Sequence, residues 1–92
     1  MFRSIKSKLP EYLKNGAIVV DVRSPAEFTT GNFAGSINIP LQELGAKANQ
    51  LNKSKTILVC CASGTRSGMA VGILKAQGFD NVLNAGPWSN LL

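Results

Sequence analysis

Cys61 and Arg66 are the residues of this chain best placed to do chemistry, within the segment Ile57-Leu58-Val59-Cys60-Cys61-Ala62-Ser63-Gly64-Thr65-Arg66-Ser67. The apolar run ending at Cys60 reads as a buried strand. A loop containing Gly64 follows, and Met69, Ala70, Ile73 and Leu74 then recur at helical spacing. A cysteine at such a junction faces the unpaired N–H groups and the positive dipole end of the coming helix, both of which favour an anion. The thiolate is the reactive form of cysteine, and this setting lowers the thiol pKa. Arg66 adds a permanent positive charge at the same mouth. Gly64 suits a tight loop whose N–H groups turn inwards. Ser63, Thr65 and Ser67 can donate to a bound anion. The predicted chemistry is that of a held sulfur anion.

Other residue types narrow the field. The chain of 92 residues has no histidine, so a Cys–His nucleophile pair cannot be assembled. Two adjacent cysteines without a second ligand pair do not suit zinc, and neither metal nor cofactor is expected. Neighbouring Cα atoms stand about 3.8 Å apart, below the usual disulfide span, so Cys60 and Cys61 are expected as free thiols. Such thiols suit a cytoplasmic setting. The start of the chain lacks an apolar signal-peptide core, and no apolar run approaches a membrane span, so no membrane association is expected. Ten Lys and Arg against five Asp and Glu leave a charge of +5. No aromatic residues interleave with the basic ones, which argues against nucleic-acid binding and for attraction of small anions or acidic proteins.

The elements that must position Cys61 are legible along the chain. Residues 10–14 read as a short helix with Pro10 in its first turn. Residues 17–22 read as a strand buried on both faces. Ser24-Pro25-Ala26-Glu27 has the form of a capping box that starts a short helix. A brief strand is predicted at 36–39 and stopped by Pro40, then a helix over 41–51. The reactive strand covers 56–60, its helix 66–77 with Gly78 closing it, and a last strand 81–84. Strands alternating with helices define an α/β chain with a mainly parallel sheet, in one domain over residues 1–92. Such sheets bind ligands beyond the carboxyl ends of their strands, where Cys61 lies.

Three blocks, in order, resemble the rhodanese (sulfurtransferase) family: Asp21-Val22-Arg23-Ser24-Pro25-Ala26-Glu27-Phe28, Gly31 to Pro40, and Cys61-Ala62-Ser63-Gly64-Thr65-Arg66-Ser67. The resemblance covers nearly the whole chain. Asn32 and Ser36 depart from it, standing where the family usually has His and Ala. It implies a rhodanese-like fold with about five strands flanked by helices on both faces. It also implies a sulfurtransferase in which Cys61 carries sulfur as a persulfide. Ala62, Ser63, Gly64, Thr65, Arg66 and Ser67 would then form the substrate-binding loop. The donor would be thiosulfate or a related persulfide, and the acceptor cyanide or a thiol, protein thiols included.

The remaining motif residues read as support. Asp21 and Arg23 are expected to pair below the site, Glu27 to cap a helix, Asn38 to satisfy a turn backbone, and Trp88 to plug the core. Arg66 is expected to bond loop carbonyls and face an oxyanion. Cys60, ending an apolar strand, reads as structural. Two other functions stay open. Counted from Cys60, the spacing to Arg66 is that of cysteine phosphatases and arsenate reductases. A non-catalytic module that carries a persulfide to a partner protein would also use Cys61.

Overall fold

The computed structural model describes the backbone from residue 2 to residue 92 and the side chains from residue 5. The elements follow in the order α1 (Phe2–Lys14), β1 (Ile18–Asp21), α2 (Pro25–Thr30), β2 (Ile37–Asn38), α3 (Leu41–Lys47), β3 (Ile57–Cys61), α4 (Thr65–Ala76) and β4 (Val82–Pro87). Short 3-10 turns follow α3 at Ala48–Gln50 and β4 at Trp88–Leu91. All strand pairs are parallel, in the order β2-β1-β3-β4. The chain reverses direction across the sheet between β1 and β3, so the crevice beyond their carboxyl ends is the favoured ligand position of this architecture.

Strand alternation divides the core in two. Val20, Ile57, Val59, Cys61 and Val82 face α3 and α4, packing with Leu44, Ala48, Ala70, Leu74 and Phe79. Val19, Leu58, Cys60 and Ala85 face α1 and the C-terminal turn, packing with Leu9 and Leu91. β3 is buried at every residue, as a central parallel strand covered on both faces must be.

Several elements differ from the sequence reading: β4 runs to Pro87 rather than ending at residue 84, and α3 ends at Lys47 with a 3-10 turn after it rather than reaching residue 51. The first helix begins eight residues earlier than predicted, with Pro10 inside it. Pro10 cannot donate to the preceding turn, a cost of about 3 kcal/mol or more. The stripe Ile5, Leu9, Tyr12 and Leu13, packed on the second core cluster, offsets it. The sheet has four strands, those read along the chain, rather than about five as the resemblance implies. β3 also runs one residue further than predicted. Cys61 pairs with Pro87 and closes the strand rather than opening the loop.

Candidate active site

β3 and α4 are joined by only Ala62, Ser63 and Gly64, and Gly64 stands at the N-cap of α4 with φ 104°. That left-handed conformation is open to glycine and strained for other residues. Gly64 has no side chain with which to cap α4. The Cys61 sulfur takes that place, accepting the Gly64 N–H at 2.9 Å and the Ser67 N–H at 3.4 Å. The Ser67 hydroxyl lies 3.4 Å from the same sulfur. The helix N-terminus thus spends its orphan donors on Sγ. Cys61 has no exposed surface, so these donors act where water does not screen them.

Two opposing causes set the Cys61 pKa. Burial raises it most; the Ser67 hydroxyl and the amides of Ser67, Gly64 and Ser63 together outweigh burial and bring it below the ordinary thiol value. Cys60, one residue earlier, points to the opposite face of the sheet. Burial there, with the Asp21 charge adding, pushes its thiol up to about 12. Both cysteines are free. A single sheet therefore holds one activated and one inert thiol on adjacent residues.

Ala62, Ser63 and Thr65 are exposed on the rim of the loop, whereas Gly64 and Ser67 are buried beneath it. Arg66 is half-buried, and its contacts correct the expectation that it bonds the loop carbonyls. Its Nη1 and Nη2 donate to Oε1 and Oε2 of Glu27 at 2.8 and 2.9 Å. A carboxylate across the mouth satisfies the planar fork more strongly than neutral carbonyls do. Glu27 also completes the capping box of α2, accepting the Ser24 N–H at 3.1 Å while Ser24 Oγ accepts the Glu27 N–H at 3.2 Å. The Arg66 pair, with the Ser24 bonds, holds the Glu27 carboxyl down at about 2.

Asp21 and Arg23 form a buried ion pair. Arg23 Nε donates to both Asp21 oxygens at 2.9 and 3.0 Å, and Nη2 to Oδ2 at 2.7 Å. Asp21 is in register with Cys60, so its side chain lies on the face away from Cys61. The pair reaches the site indirectly: Arg23 donates to the carbonyls of Glu27 and Gly31 at the two ends of α2, and α2 carries the partner of Arg66. The Trp88 ring stacks on the Arg23 guanidinium at 5.0 Å, a contact beyond the core role read for it. Asn38 Nδ2 donates to the carbonyls of Asp21 and Arg23, pinning the turn after β1. Asn32 Nδ2 donates to the Phe28 carbonyl and Ser36 Oγ to the Phe33 carbonyl, so both departures from the family pattern serve the loop after α2.

The sequence reading passed over Asn84. A register shift between β3 and β4 leaves Val59 beside Asn84 but Cys60 beside Gly86. Asn84 thereby sits against the loop, accepting from Ser67 Oγ at 2.6 Å and from the Gly86 N–H at 2.8 Å, and donating to the Gly64 carbonyl at 3.1 Å. An amide inside an otherwise apolar strand is the one signal in the sequence. Among the described residues, no three His, Cys, Asp or Glu side chains gather into a metal-holding cluster.

A thiol held by helix-terminal amides at the end of a parallel strand, on a four-stranded α/β sheet, accords with the resemblance carried by the three sequence blocks. The family model of the Rhodanese-like domain matches residues 6–86, and the chain belongs to that family. It is 41% identical over 69 residues to YrkF of Bacillus subtilis, named as a candidate sulfur carrier protein, covering 75% of this chain and 37% of that one. It is 38% identical over 69 residues to the thiosulfate sulfurtransferase PspE of Escherichia coli, covering 73% of this chain and 66% of that one. The chain thus spans less than two thirds of either relative. A solved rhodanese-related protein from Thermoplasma volcanium superposes with a TM-score of 0.82 at 38% identity, covering 94% of this chain and 85% of that one. No described helix is long and apolar enough to cross a membrane.

Proposed function

We propose that this domain moves a sulfane sulfur through a persulfide on Cys61. The observation that carries the reading is the Cys61 sulfur seated as the N-cap acceptor of α4, with its thiol pKa lowered. The Cys61 thiolate attacks the outer sulfur of thiosulfate. An Sγ–S bond forms, the S–S bond to the sulfite sulfur breaks, and sulfite leaves with the bonding pair. Negative charge now rests on the outer persulfide sulfur beside the loop amides. Cyanide or a thiolate attacks that sulfur and departs as thiocyanate or a new persulfide, returning the Cys61 thiolate. This is covalent, double-displacement catalysis. Both attacking species are anions, so no general base is required, in keeping with a chain without histidine. Anionic donors suit the positive net charge, and the reaction consumes no cofactor.

Relatives named both as sulfurtransferases and as a candidate carrier leave the acceptor class as the open choice, and a protein thiol in a cytoplasmic setting fits both. Phosphatase or arsenate reductase chemistry through Cys60 is disfavoured by that residue's place in the opposite core and its raised thiol pKa. The four residues between Cys61 and Arg66 also make a short ring of donors, suited to one sulfur rather than to three phosphate oxygens.

Mass spectrometry after thiosulfate treatment tests the reading. One added sulfur should map to Cys61, vanish in Cys61→Ser and persist in Cys60→Ser. Aryl phosphates should show no cysteine-dependent hydrolysis. A label on Cys60, or phosphate release through Cys60 without persulfide, would overturn the assignment.

A further inference from the structure

The Ser67 hydroxyl has one proton and three acceptors within reach: Asn84 Oδ1 at 2.6 Å, the Gly64 carbonyl at 3.1 Å and Cys61 Sγ at 3.4 Å. The other two oxygens do not depend on it. The Gly64 carbonyl receives the Gly68 N–H at 3.0 Å and Asn84 Nδ2 at 3.1 Å, while Asn84 Oδ1 receives the Gly86 N–H at 2.8 Å. The shortest contact takes the proton when sulfur is neutral, since two oxygens 2.6 Å apart require a hydrogen between them. Cys61 S–H can then donate to Ser67 Oγ. A sulfur anion reverses the preference, because a charge-assisted bond is roughly twice as strong as a neutral one.

We propose that Asn84 is a positioning residue for the Cys61 nucleophile. It holds the Ser67 hydroxyl off the sulfur while the thiol is protonated, and yields it when the sulfur carries charge. The amide and the hydroxyl form a two-position switch, in which turning the Ser67 O–H bond and widening the 2.6 Å Ser67–Asn84 oxygen pair changes the chain Cys61 S–H to Ser67 O–H to Asn84 into a direct Ser67 O–H to sulfur bond. Asn84 Oδ1 gives up the Ser67 proton in the turn but is not left unpaired, because the Gly86 N–H stays. The nearby charges are Arg66 on α4, which feels the Cys61 charge, and its partner Glu27 on α2. Asp21 and Arg23 beside β1 act on Cys60, and β4 carries no charged residue. Among the described residues no charged side chain hydrogen-bonds Sγ, and the Ser67 hydroxyl is the side-chain donor to the anion. The proposal rests on Cys61 as the nucleophile.

The rate of iodoacetamide alkylation against pH, with the modified peptide mapped, tests it without any sulfur-transfer assay. Ser67→Ala should reduce the thiolate fraction below the midpoint about tenfold, and Asn84→Ala should raise it about three- to tenfold, the scale of one hydrogen bond. In the Ser67→Ala background, Asn84→Ala should add nothing. A fall in thiolate for Asn84→Ala, or the same effect in both backgrounds, would leave Asn84 a structural strut and overturn the proposal. The unmodified protein gives a second reading: the S–H stretch lost in Cys61→Ser should lie at lower frequency than that of Cys60, as a donor to oxygen. A Cys61 stretch that is not lowered contradicts the switch even where the Asn84 variants fail to fold. Alkylation mapping to Cys60 would instead strike the assignment of the nucleophile.

Discussion

Arg66 and Glu27, 39 residues apart in the chain, meet through two parallel bonds of 2.8 and 2.9 Å between guanidinium and carboxylate. Glu27 is at the same time the acidic member of the α2 capping box. One carboxylate therefore ties the first turn of α2 to the first turn of α4, the helix whose amides hold the sulfur.

The pair should show in acid. The folded Glu27 value, about 2, lies below that of an unfolded carboxylate, so its contribution is fully present above the unfolded value of roughly 4.3 and is lost as pH falls toward 2. Glu27→Gln can still cap α2 but has no charge to lose. Urea unfolding from pH 6 to 3 should show a shallower acid decline for Glu27→Gln than for wild type. Equal slopes would mean that the pair does not contribute.

Arg66→Lys keeps the charge and loses the fork. With thiosulfate, kcat/KM should fall about tenfold or more, a loss of roughly 1.4 kcal/mol in transition-state binding, while the melting temperature shifts only slightly. An unchanged kcat/KM would confine Arg66 to its structural pairing with Glu27.

Cys60 sets the alkaline limb. Its folded pKa, about 12, lies above that of an unfolded thiol, so its contribution to stability is whole below about 8.5 and drains away as pH rises toward 12. The stability difference between wild type and Cys60→Ala should therefore move against the wild type from pH 8 to 10, by up to about 1.4 kcal/mol per unit. A difference that stays constant with pH would contradict the burial of that thiol. Cys61, shifted the other way, makes the opposite contribution: it is present above the unfolded thiol value and lost on acidification.

Asp21→Ala leaves the Arg23 guanidinium, 4% exposed, without its carboxylate. Stranding one partner of a buried pair costs about 3–5 kcal/mol. For a domain of this size, that corresponds to a fall in melting temperature of more than about 10 °C, measurable by calorimetry. A fall of only a degree or two would show that water or Trp88 replaces the carboxylate.

Local chemistry made much of this site readable from one sequence. The apolar run before Cys61, the glycine at 64 and the Ser24–Glu27 capping box each specify their neighbours' conformation within a few residues. Pro10 misled, because a proline in a first turn and one carried inside an amphipathic helix have the same local spelling. Only the packing of Ile5 and Leu9 distinguishes them. The Arg66–Glu27 and Ser67–Asn84 contacts were illegible for another reason. They join segments brought together by the order of the strands, and a register shift next to Asn84 decides where its amide points.

The placement of Cys60 and Cys61 on opposite faces of β3 bears on how long a loaded sulfur survives. A persulfide is discharged by any thiol that reaches it, and many redox sites place a second cysteine nearby for that purpose. Here the neighbouring thiol is walled off by the strand's own backbone and held protonated. On the proposed function, a sulfur loaded on Cys61 would have no internal route of escape as a disulfide, and its lifetime would be set by whatever acceptor arrives from outside. The sheet would then serve as an insulator, letting the domain hold its cargo until it is met.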